Sequence, residues 1–378
     1  MKKILSVILL AALLLVAVSA LYGCSKKRYD IVLITDGGSV TDKGFNQSAW
    51  DAMTEFAVER NLDCRYFVPS STDYKDLVSQ LRSAAKNGAS VIAACGKVFE
   101  TAVCEVQREY PGSKFILIDG KPHKADYQTP EILSNTTSVM FASEQSGFLA
   151  GYAAVTDGIT SLGFIGGKPD ENVCAYGYGF LQGAEYAAKE NGIAVSAVYY
   201  YTGDFEKNDT NRQTAEKMFT DGADLIFVCG DGVEKSVIEA AESKRCYVIC
   251  AEKDRRYESG AVLTSAVKGV SAAVRLVLRS VYDTKDFEYS FGGKSTYFDA
   301  ATGGAGLASF VINDKNGDPF DRFYKFSRSD YESILEKVGS KSIEIKRSIT
   351  VSDISGYAKA EELTAAFGLE FVTVTIFE

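Results

Sequence analysis

The sequence predicts an α/β protein built from two doubly wound parallel-sheet lobes that are joined by a multi-crossing hinge. Apolar runs typical of buried strands alternate with amphipathic helical runs along most of the 378 residues. This is the pattern of parallel sheets covered by helices on both faces. The stretch "KNGASVIAACG" (86–96) also aligns with "TDGADLIFVCG" (220–230), and "GFNQSA" (44–49) aligns with "GFLQGA" (179–184) at nearly the same offset. These two matches indicate a duplicated unit.

The N-terminal segment is predicted to be a targeting signal rather than part of the fold. Residues 1–23 contain a basic start, "MKK", and a long apolar run, and they end in "LYG" before Cys24. This arrangement resembles the lipobox of bacterial lipoproteins, although Tyr22 departs from the small residue that is usual there. We therefore expect a lipoprotein signal peptide, lipidation of Cys24 and a polar tether over residues 24–29. The alternative is an uncleaved transmembrane anchor, because the apolar run is about long enough to span a bilayer.

The first lobe is predicted to comprise residues 30–138 plus 260–292. Its strands are expected at "IVLIT", "CRYFV", "SVIAAC" and "KFILID", and its helical patterns include "FNQSAWDAMTEFAVER" and "YKDLVSQLRSAAK". The second lobe is predicted to comprise residues 139–259 plus 293–350, with strands at "SLGFIG", "VSAVYYY", "DLIFVCG" and "CYVICAE". The run "AVLTSAVKGVSAAVRLVL" is expected to cross back to the first lobe.

Residues 351–378 are predicted to add a helix and an alternating strand, "FVTVTIF", to one lobe. An extra edge strand is the simpler interpretation of this tail. A docking surface for another protein is the alternative.

The composition limits the classes of function. A hydrophobic content of 46% and a charged content of 24% are typical of a globular protein. The net charge of −9 argues against nucleic acid as a partner, because phosphate binding depends on excess lysine and arginine.

Neither catalysis nor a cofactor is indicated by the sequence. His123 is the only histidine and lies in a loop, "GKPH", where we expect an ordinary surface residue. No GxSxG elbow and no CxxC pair is present, so neither a catalytic residue nor a metal site is predicted. Seven cysteines follow Cys24, and we expect them to pack in the core, with one disulfide left possible. An enzyme stays an alternative, although it would need a base or nucleophile that the sequence does not reveal.

The loop between the first strand and the first helix, "ITDGGSVTDKGFNQSAW" (34–50), carries the residue types that suit a neutral, planar, polar ligand. It matches neither phosphate-binding fingerprint. Phe45 offers a ring face for stacking, Asn46 offers both donors and acceptors, and Asp36 follows directly after a strand. Phe205 follows a strand of the second lobe in the same way. The two rings are therefore candidates to clamp one heterocycle, although each could equally belong to the core.

At these residues the chain resembles the basic membrane protein (BMP) family of bacterial lipoproteins, whose best-known binding member is a purine nucleoside receptor that serves an ABC transporter. The resemblance covers roughly residues 29–310 and is carried by "VLITDGGSVTDKGFNQSAWDAM", "ILIDG", "FLAGYAAV", "LGFIGG", "GYGFLQGA", "GADLIFVCGDG" and "LTSAVKGVSAAV". It implies the type I periplasmic-binding-protein fold. It also implies an extracytoplasmic, membrane-anchored, monomeric protein that binds a purine nucleoside and passes it to ABC permease subunits.

The resemblance further implies roles for the base-binding residues. Phe45 and Phe205 would sandwich the base. Asp36, Asn46 and Asp119 would form hydrogen bonds with its edge.

For the ribose half of the ligand the sequence departs from the family. Gly230 would let the backbone approach the ligand, and Lys268 would contact ribose hydroxyls beside an acidic partner. Where the family usually reads "GVDxDQ", residues 250–255 read "CAEKDR", so Glu252 replaces an aspartate and Arg255 a glutamine. A sugar or another small polar ligand, and a surface interaction lipoprotein, therefore stay as alternatives.

Overall fold

A computed structural model describes residues 29–126, 129–309 and 318–378. The predicted signal peptide and the lipidation residue Cys24 lie outside these ranges. No helix within them is both long and apolar enough to cross a membrane. The helices are α1 (Phe45–Arg60), α2 (Tyr74–Lys86), α3 (Glu100–Glu109), α4 (Ser143–Thr156), α5 (Glu171–Asn191), α6 (Asp209–Thr220), α7 (Asp231–Lys244), α8 (Val270–Tyr282), α9 (Phe287–Ser290), α10 (Arg328–Gly339) and α11 (Ala360–Phe367).

The first sheet is entirely parallel, with the strand order β11-β5-β4-β3-β1-β2. Helices α1 and α8 pack on one face and α2 and α3 on the other, so each face has its own apolar cluster. Burial on both faces explains why the central strands read as continuous apolar runs. The strands are β1 (Ile31–Ile34), β2 (Cys64–Phe67), β3 (Val91–Cys95), β4 (Lys114–Ile118), β5 (Thr136–Phe141) and β11 (Lys294–Phe298).

The second sheet has the order β12-β10-β9-β8-β6-β7-β13 and is parallel except for β12, which runs antiparallel to β10. Helices α4 and α5 cover one face, and α6 and α7 cover the other. The strands are β6 (Ser161–Gly166), β7 (Val195–Tyr201), β8 (Leu225–Cys229), β9 (Tyr247–Glu252), β10 (Val262–Lys268), β12 (Ala305–Leu307) and β13 (Val372–Ile376). Each sheet with its helices is called a lobe below.

The strand orders of the two sheets confirm the two doubly wound lobes. The order β2-β1-β3-β4-β5-β11 is repeated as β7-β6-β8-β9-β10-β12. The repeat at 86–96 and 220–230 falls on equivalent strands, β3 and β8. The match between 44–49 and 179–184 does not, because the first segment begins α1 whereas the second lies in the middle of α5.

The chain crosses between the lobes three times within the described ranges: after β5, after β10 and between β11 and β12. The crossings hold one another by backbone hydrogen bonds, since Ala142 N donates to Phe298 O at 2.9 Å and Gly269 N donates to Gly304 O at 2.9 Å. A side chain at Gly269 would bring its Cβ to 1.8 Å from the carbonyl oxygen of Gly303. The hinge therefore consists of tightly apposed backbone segments.

Sheet membership differs from the predicted lobe boundaries at two places. Strand β10 lies in the range 260–292 assigned to the first lobe, yet it pairs with β9 and β12 of the second sheet. Strand β11 lies in the range 293–350 assigned to the second lobe, yet it pairs with β5 of the first sheet. The chain crosses after β10 rather than before it, so that β10 lies between β9 and β12 and its backbone groups have partners on both sides. From the range 260–292, α8 and the short helix α9 pack on the first lobe, in the apolar cluster that also contains α1.

The tail is built into the second lobe. Strand β13 pairs in parallel with β7 along the sheet edge. Leu363 of α11 is fully buried, and Val372 and Val374 of β13 face the core. The residues described in this segment therefore complete the lobe with an edge strand and a covering helix.

Candidate ligand-binding site

The loop after β1 folds around two aspartates. Asp36 accepts a hydrogen bond from the Gly38 amide, and Asp42 accepts bonds from the amides of Gly44 and Gln47. Asp42 thus satisfies amides at the start of α1, where the helix dipole favours a negative charge. Part of the loop therefore caps the N-terminus of α1.

Asn46, the second residue of α1, is held between these two carboxylates. Its Nδ2 donates to Asp36 Oδ1 at 2.8 Å and to Asp42 Oδ2 at 2.9 Å. Both partners only accept, so the amide group is fixed with its NH2 toward them. Its Oδ1 is buried and has no hydrogen-bond partner in the part of the chain that the structure describes. A buried acceptor without a donor is costly, so this oxygen is available for an external N–H or O–H group.

Lys268, at the end of β10, joins the two lobes. Its Nζ lies 2.9 Å from Asp119 Oδ2, at the end of the first lobe's β4, and 2.7 Å from Glu252 Oε1, at the end of β9. Burial alone would lower the pKa of the Lys268 ammonium. The two carboxylates outweigh this effect and hold the pKa well above its usual value. Lys268 is therefore a fixed cation between two acceptors.

Phe45 lies beside this cation. Its ring is half-buried, packs edge-on against Phe141 with the ring centroids 6.4 Å apart, and has the Lys268 Nζ at 5.2 Å from its centroid. The predicted residues Phe45, Asp119, Glu252 and Lys268 therefore meet in one place, at the carboxyl ends of strands from both sheets. We call the region between these strand ends the cleft. Such strand ends are where ligands bind in open α/β sheets.

Two of the cleft carboxylates sit on strained backbone. Asp119 has φ 59° and Glu252 has φ 66°, both in the left-handed region that non-glycine residues seldom adopt. Each conformation costs about 1 kcal/mol or more, so the surrounding structure must impose it. The strain occurs on both sides of Lys268, where the chain turns out of a strand to present an acidic side chain.

Phe205 and Gly230 form a second contact group, on the second lobe. A Cβ placed on Gly230 would lie 3.3 Å from the Phe205 ring, and one on Gly167 would lie 2.4 Å from it. Gly230 also has φ 149°, a conformation that favours glycine. The two glycines at the ends of β8 and β6 thus leave room for the ring, which packs at the margin of the core.

Two further polar residues lie at the cleft, and the sequence reasoning missed both. Asn172 Nδ2 donates to Asp119 Oδ1 at 3.3 Å. The hydroxyl of Tyr176 is fully buried without a hydrogen-bond partner among the described residues, and its ring centroid is 6.0 Å from the Lys268 Nζ. Asn172 is the second residue of α5, as Asn46 is of α1. Aligning the two strand–helix connections, rather than the glycines of 44–49 and 179–184, would have found it.

The lobes also touch at the rim of the cleft. Lys97 pairs with Asp170 at 3.1 Å, and Lys121 pairs with Glu171 at 3.1 Å. On another side the Lys43 ammonium lies 3.9 Å from the centroid of the Tyr257 ring. The structure therefore presents the two lobes in contact around the cleft.

The histidine and the thiols have structural surroundings. His123 is only 9% exposed, and its ring bonds to Glu100 and to the Lys124 carbonyl, so the expectation of a surface residue was wrong. Burial and the charges of neighbouring carboxylates raise the pKa of the Cys95 and Cys229 thiols, which disfavours thiolates. The seven cysteines of the described ranges are free, and no group of acids, cysteines or histidine in those ranges is arranged to hold a metal ion.

Comparison with known proteins gives consistent matches. Residues 30–348 match the Bmp family model, described as ABC transporter substrate-binding protein PnrA-like. The ABC transporter nucleoside-binding protein BmpA of Lactococcus lactis subsp. cremoris is 27% identical over 341 residues, or 81% of this chain and 92% of that protein. Basic membrane protein B of Borreliella burgdorferi is 32% identical over 259 residues, or 67% of this chain and 73% of that protein.

Among solved structures, a solute-binding protein of an ABC transporter system from Aeropyrum pernix shares the fold. It superposes with a TM-score of 0.67 at 20% identity and covers 90% of this chain and 99% of its own.

Proposed function

Because the chain belongs to the Bmp family of PnrA-like ABC transporter substrate-binding proteins, we propose that it binds a purine nucleoside in the cleft and delivers it to ABC permease subunits. The family predicted from the sequence motifs is confirmed by the match over residues 30–348. Its members bind substrates rather than convert them, and substrate-binding proteins of ABC transporters work outside the cytoplasm. The identity of the ligand and the mode of anchoring belong to the proposal.

The observation that carries the proposal is the buried ammonium of Lys268 between two carboxylates, directly beside the Phe45 ring. A nucleoside offers a flat base, which stacks on an aromatic face, and vicinal hydroxyls, which donate to carboxylates and accept from an ammonium. Phe205, on the opposite lobe, is the proposed second face of the base sandwich. The unpaired Oδ1 of Asn46 and the carboxylate of Asp36 are the proposed partners of the base edge.

The charges of the cleft favour a nucleoside over a nucleotide. Two carboxylates hold the Lys268 ammonium and two hold the Asn46 amide, so these two clusters together carry more negative than positive charge. A phosphate group would be repelled by this excess of negative charge, whereas an uncharged nucleoside would not. The carboxylates are those of Asp36, Asp42, Asp119 and Glu252.

The anchoring part of the proposal rests on residues outside the described ranges. Cys24 would carry the lipid after removal of residues 1–23, and residues 24–29 would serve as the tether. Cell fractionation tests this: the Cys24→Ser variant should leave the membrane fraction, whereas Cys64→Ser should stay in it.

The ligand is tested by mass spectrometry of compounds that co-purify with the protein, followed by thermal unfolding with purine nucleosides, free bases and sugars. A purine nucleoside should raise the melting temperature, and the shift should grow with the logarithm of the ratio of ligand concentration to Kd. Phe45→Ala should weaken the affinity about 5-fold to 150-fold, because one base–aromatic stack contributes about 1–3 kcal/mol. Phe377→Ala removes a half-buried ring beyond the end of edge strand β13 and should leave the affinity unchanged. A shift with sugars alone would contradict the nucleoside proposal.

A further inference from the structure

Arg347 lies after α10, in the segment that leads to the tail, and its side chain reaches the crossing between the lobes. Its Nη1 donates to Phe141 O at 3.0 Å and to Glu144 Oε2 at 2.6 Å. Its Nη2 donates to Asn172 Oδ1 at 3.1 Å and lies 3.4 Å from Glu171 Oε1. The guanidinium carbon lies 4.6 Å from the centroid of the Tyr297 ring.

These partners come from both lobes. Phe141 and Tyr297 belong to the neighbouring strands β5 and β11 of the first sheet. Glu144 is in the first turn of α4, while Glu171 and Asn172 begin α5, so all three lie in the second lobe. A planar guanidinium has five N–H donors in a fixed fork, which suits it to hold several acceptors at once. Arg347 therefore fastens the second lobe to the first at the crossing after β5.

The contact with Asn172 extends into the cleft. Arg347 can only donate, so the atom of Asn172 that faces it must be Oδ1, and the atom that faces the acceptor Asp119 must be Nδ2. The order of contacts is then Arg347 to Asn172 at 3.1 Å, Asn172 to Asp119 at 3.3 Å and Asp119 to Lys268 at 2.9 Å. Arg347 thereby fixes the amide that supports one of the two carboxylates holding the Lys268 ammonium.

We propose that Arg347 is a positioning residue for ligand binding, which sets the Asn172 amide and through it the Asp119–Lys268 pair while tying the two lobes together. It acts through Asn172. This inference rests on the proposed function for the choice of nucleosides as probe ligands. The structural effect of Arg347 on Asn172 can be tested without a ligand.

The test compares purified wild type, Arg347→Gln, Arg347→Lys and Asn172→Ala by calorimetric titration with adenosine, guanosine and inosine. Arg347→Gln should weaken the affinity about 10-fold, because it removes the charge-assisted hydrogen bond that holds the Asn172 amide. Arg347→Lys keeps a cation beside Glu144 but lacks the fork, so it should fold as the wild type does and still bind about 10-fold more weakly. Lys346→Gln is the matched control, because the Lys346 ammonium donates to the Ala366 carbonyl oxygen of the tail.

A double variant separates positioning from a general structural role. If Arg347 acts through Asn172, combining Arg347→Gln with Asn172→Ala should weaken binding no more than the more damaging of the two single changes. Additive losses would overturn the proposal, as would wild-type affinity in Arg347→Gln or Arg347→Lys.

Hydrogen exchange of the ligand-free protein tests the role of Arg347 separately from the proposed nucleoside-binding function, because it requires no ligand. Arg347→Gln should accelerate amide exchange across residues 171–174, the first turn of α5, whereas Lys346→Gln should not. If the wild type binds none of the three nucleosides, the proposed function fails, and hydrogen exchange alone then decides whether Arg347 positions Asn172. Unchanged exchange in Arg347→Gln would then overturn the role of Arg347.

Discussion

The carboxyl group of Glu234 on α7 contacts the guanidinium of Arg255 after β9, and both side chains are almost completely buried behind the cleft. Arg255 also bonds to Glu258 at 2.8 Å. In the sequence, Arg255 departs from the glutamine of the family pattern. In the structure, Glu234 is its buried partner. Its guanidinium is occupied by two carboxylates, and the pair packs under the strand end that presents Glu252.

The stability of this region should depend on pH through Glu234. Burial raises the pKa of its carboxyl to about 7, although Arg255 opposes the shift. The folded state therefore holds this proton where the unfolded state has released it, and folding is favoured at low pH. The free energy of unfolding should fall as pH rises from about 4.5 to about 7, with a contribution of up to about 1.4 kcal/mol per pH unit.

Urea unfolding of Glu234→Gln across this pH range is the measurement. The variant should lack the contribution and show a flatter dependence of stability on pH than the wild type. Glu332→Gln, at an exposed position of α10, should keep the wild-type slope. Parallel curves for wild type and Glu234→Gln would contradict the assignment.

At the residue scale, the sequence indicates those site residues that carry a local motif. Asp36, Phe45 and Asn46 stand together in one loop, and the family resemblance supplied Asp119 and Lys268. Asn172 and Tyr176 have no such motif. Their place at the cleft follows from how α5 packs against the first lobe, which no short stretch of sequence encodes.

At the scale of elements, the closest packing described in the second lobe is that of helix α4 against helix α5. A Cβ on Gly151 would lie 2.1 Å from the Phe180 carbonyl oxygen, and one on Gly183 would lie 1.9 Å from the Phe148 carbonyl oxygen. The helix backbones are therefore in direct contact. The glycines of the motifs "FLAGYAAV" and "GYGFLQGA" are therefore explained by the close packing of these two helices and not by contact with a ligand.

Gly183→Ala should consequently destabilise the protein. Alanine is intrinsically a better helix former than glycine by about 1 kcal/mol, so an exposed site would gain stability. Here the added methyl group meets a backbone that cannot move aside, and we expect a net loss of about 3 kcal/mol. Urea unfolding measures the effect, with Gly112→Ala as control, because nothing lies within 4 Å of a Cβ at Gly112. Equal stability of Gly183→Ala and wild type would show that the helices can separate.

Elements were predictable where an apolar run marks a buried strand, as in β1, β3, β4 and β8. Strand β5 was missed because it begins "TTS", although all six of its residues are buried. Hydrogen bonds to backbone carbonyls satisfy two of these polar side chains, Thr137 and Ser138. A short run of polar residues at the hinge therefore predicts a loop, because the sequence does not show which distant residues will accept their hydrogen bonds.

For the whole molecule, the start of α5 is where the lobes meet. Asp170 pairs with Lys97, Glu171 pairs with Lys121, and Glu171 Oε1 also accepts a bond from the Tyr297 hydroxyl at 2.8 Å. These contacts exist only while the lobes are together, so they favour the closed arrangement over an open one. A protein that must release its ligand to a permease needs such contacts to be weak and reversible.

The double variant Lys97→Ala/Lys121→Ala should therefore release a purine nucleoside faster. Each partly exposed ion pair contributes about 0.2–1 kcal/mol, so loss of both pairs should raise the dissociation rate roughly 2-fold to 30-fold while the association rate changes little. Stopped-flow measurements at about 0.05 M and about 0.5 M salt test this, and screening should shrink the difference from wild type at the higher concentration. Lys207→Ala/Lys217→Ala removes two surface pairs within the second lobe and should not alter the rate. A dissociation rate equal to that of wild type at low salt would mean that closure depends on the cleft and the hinge, and not on the rim.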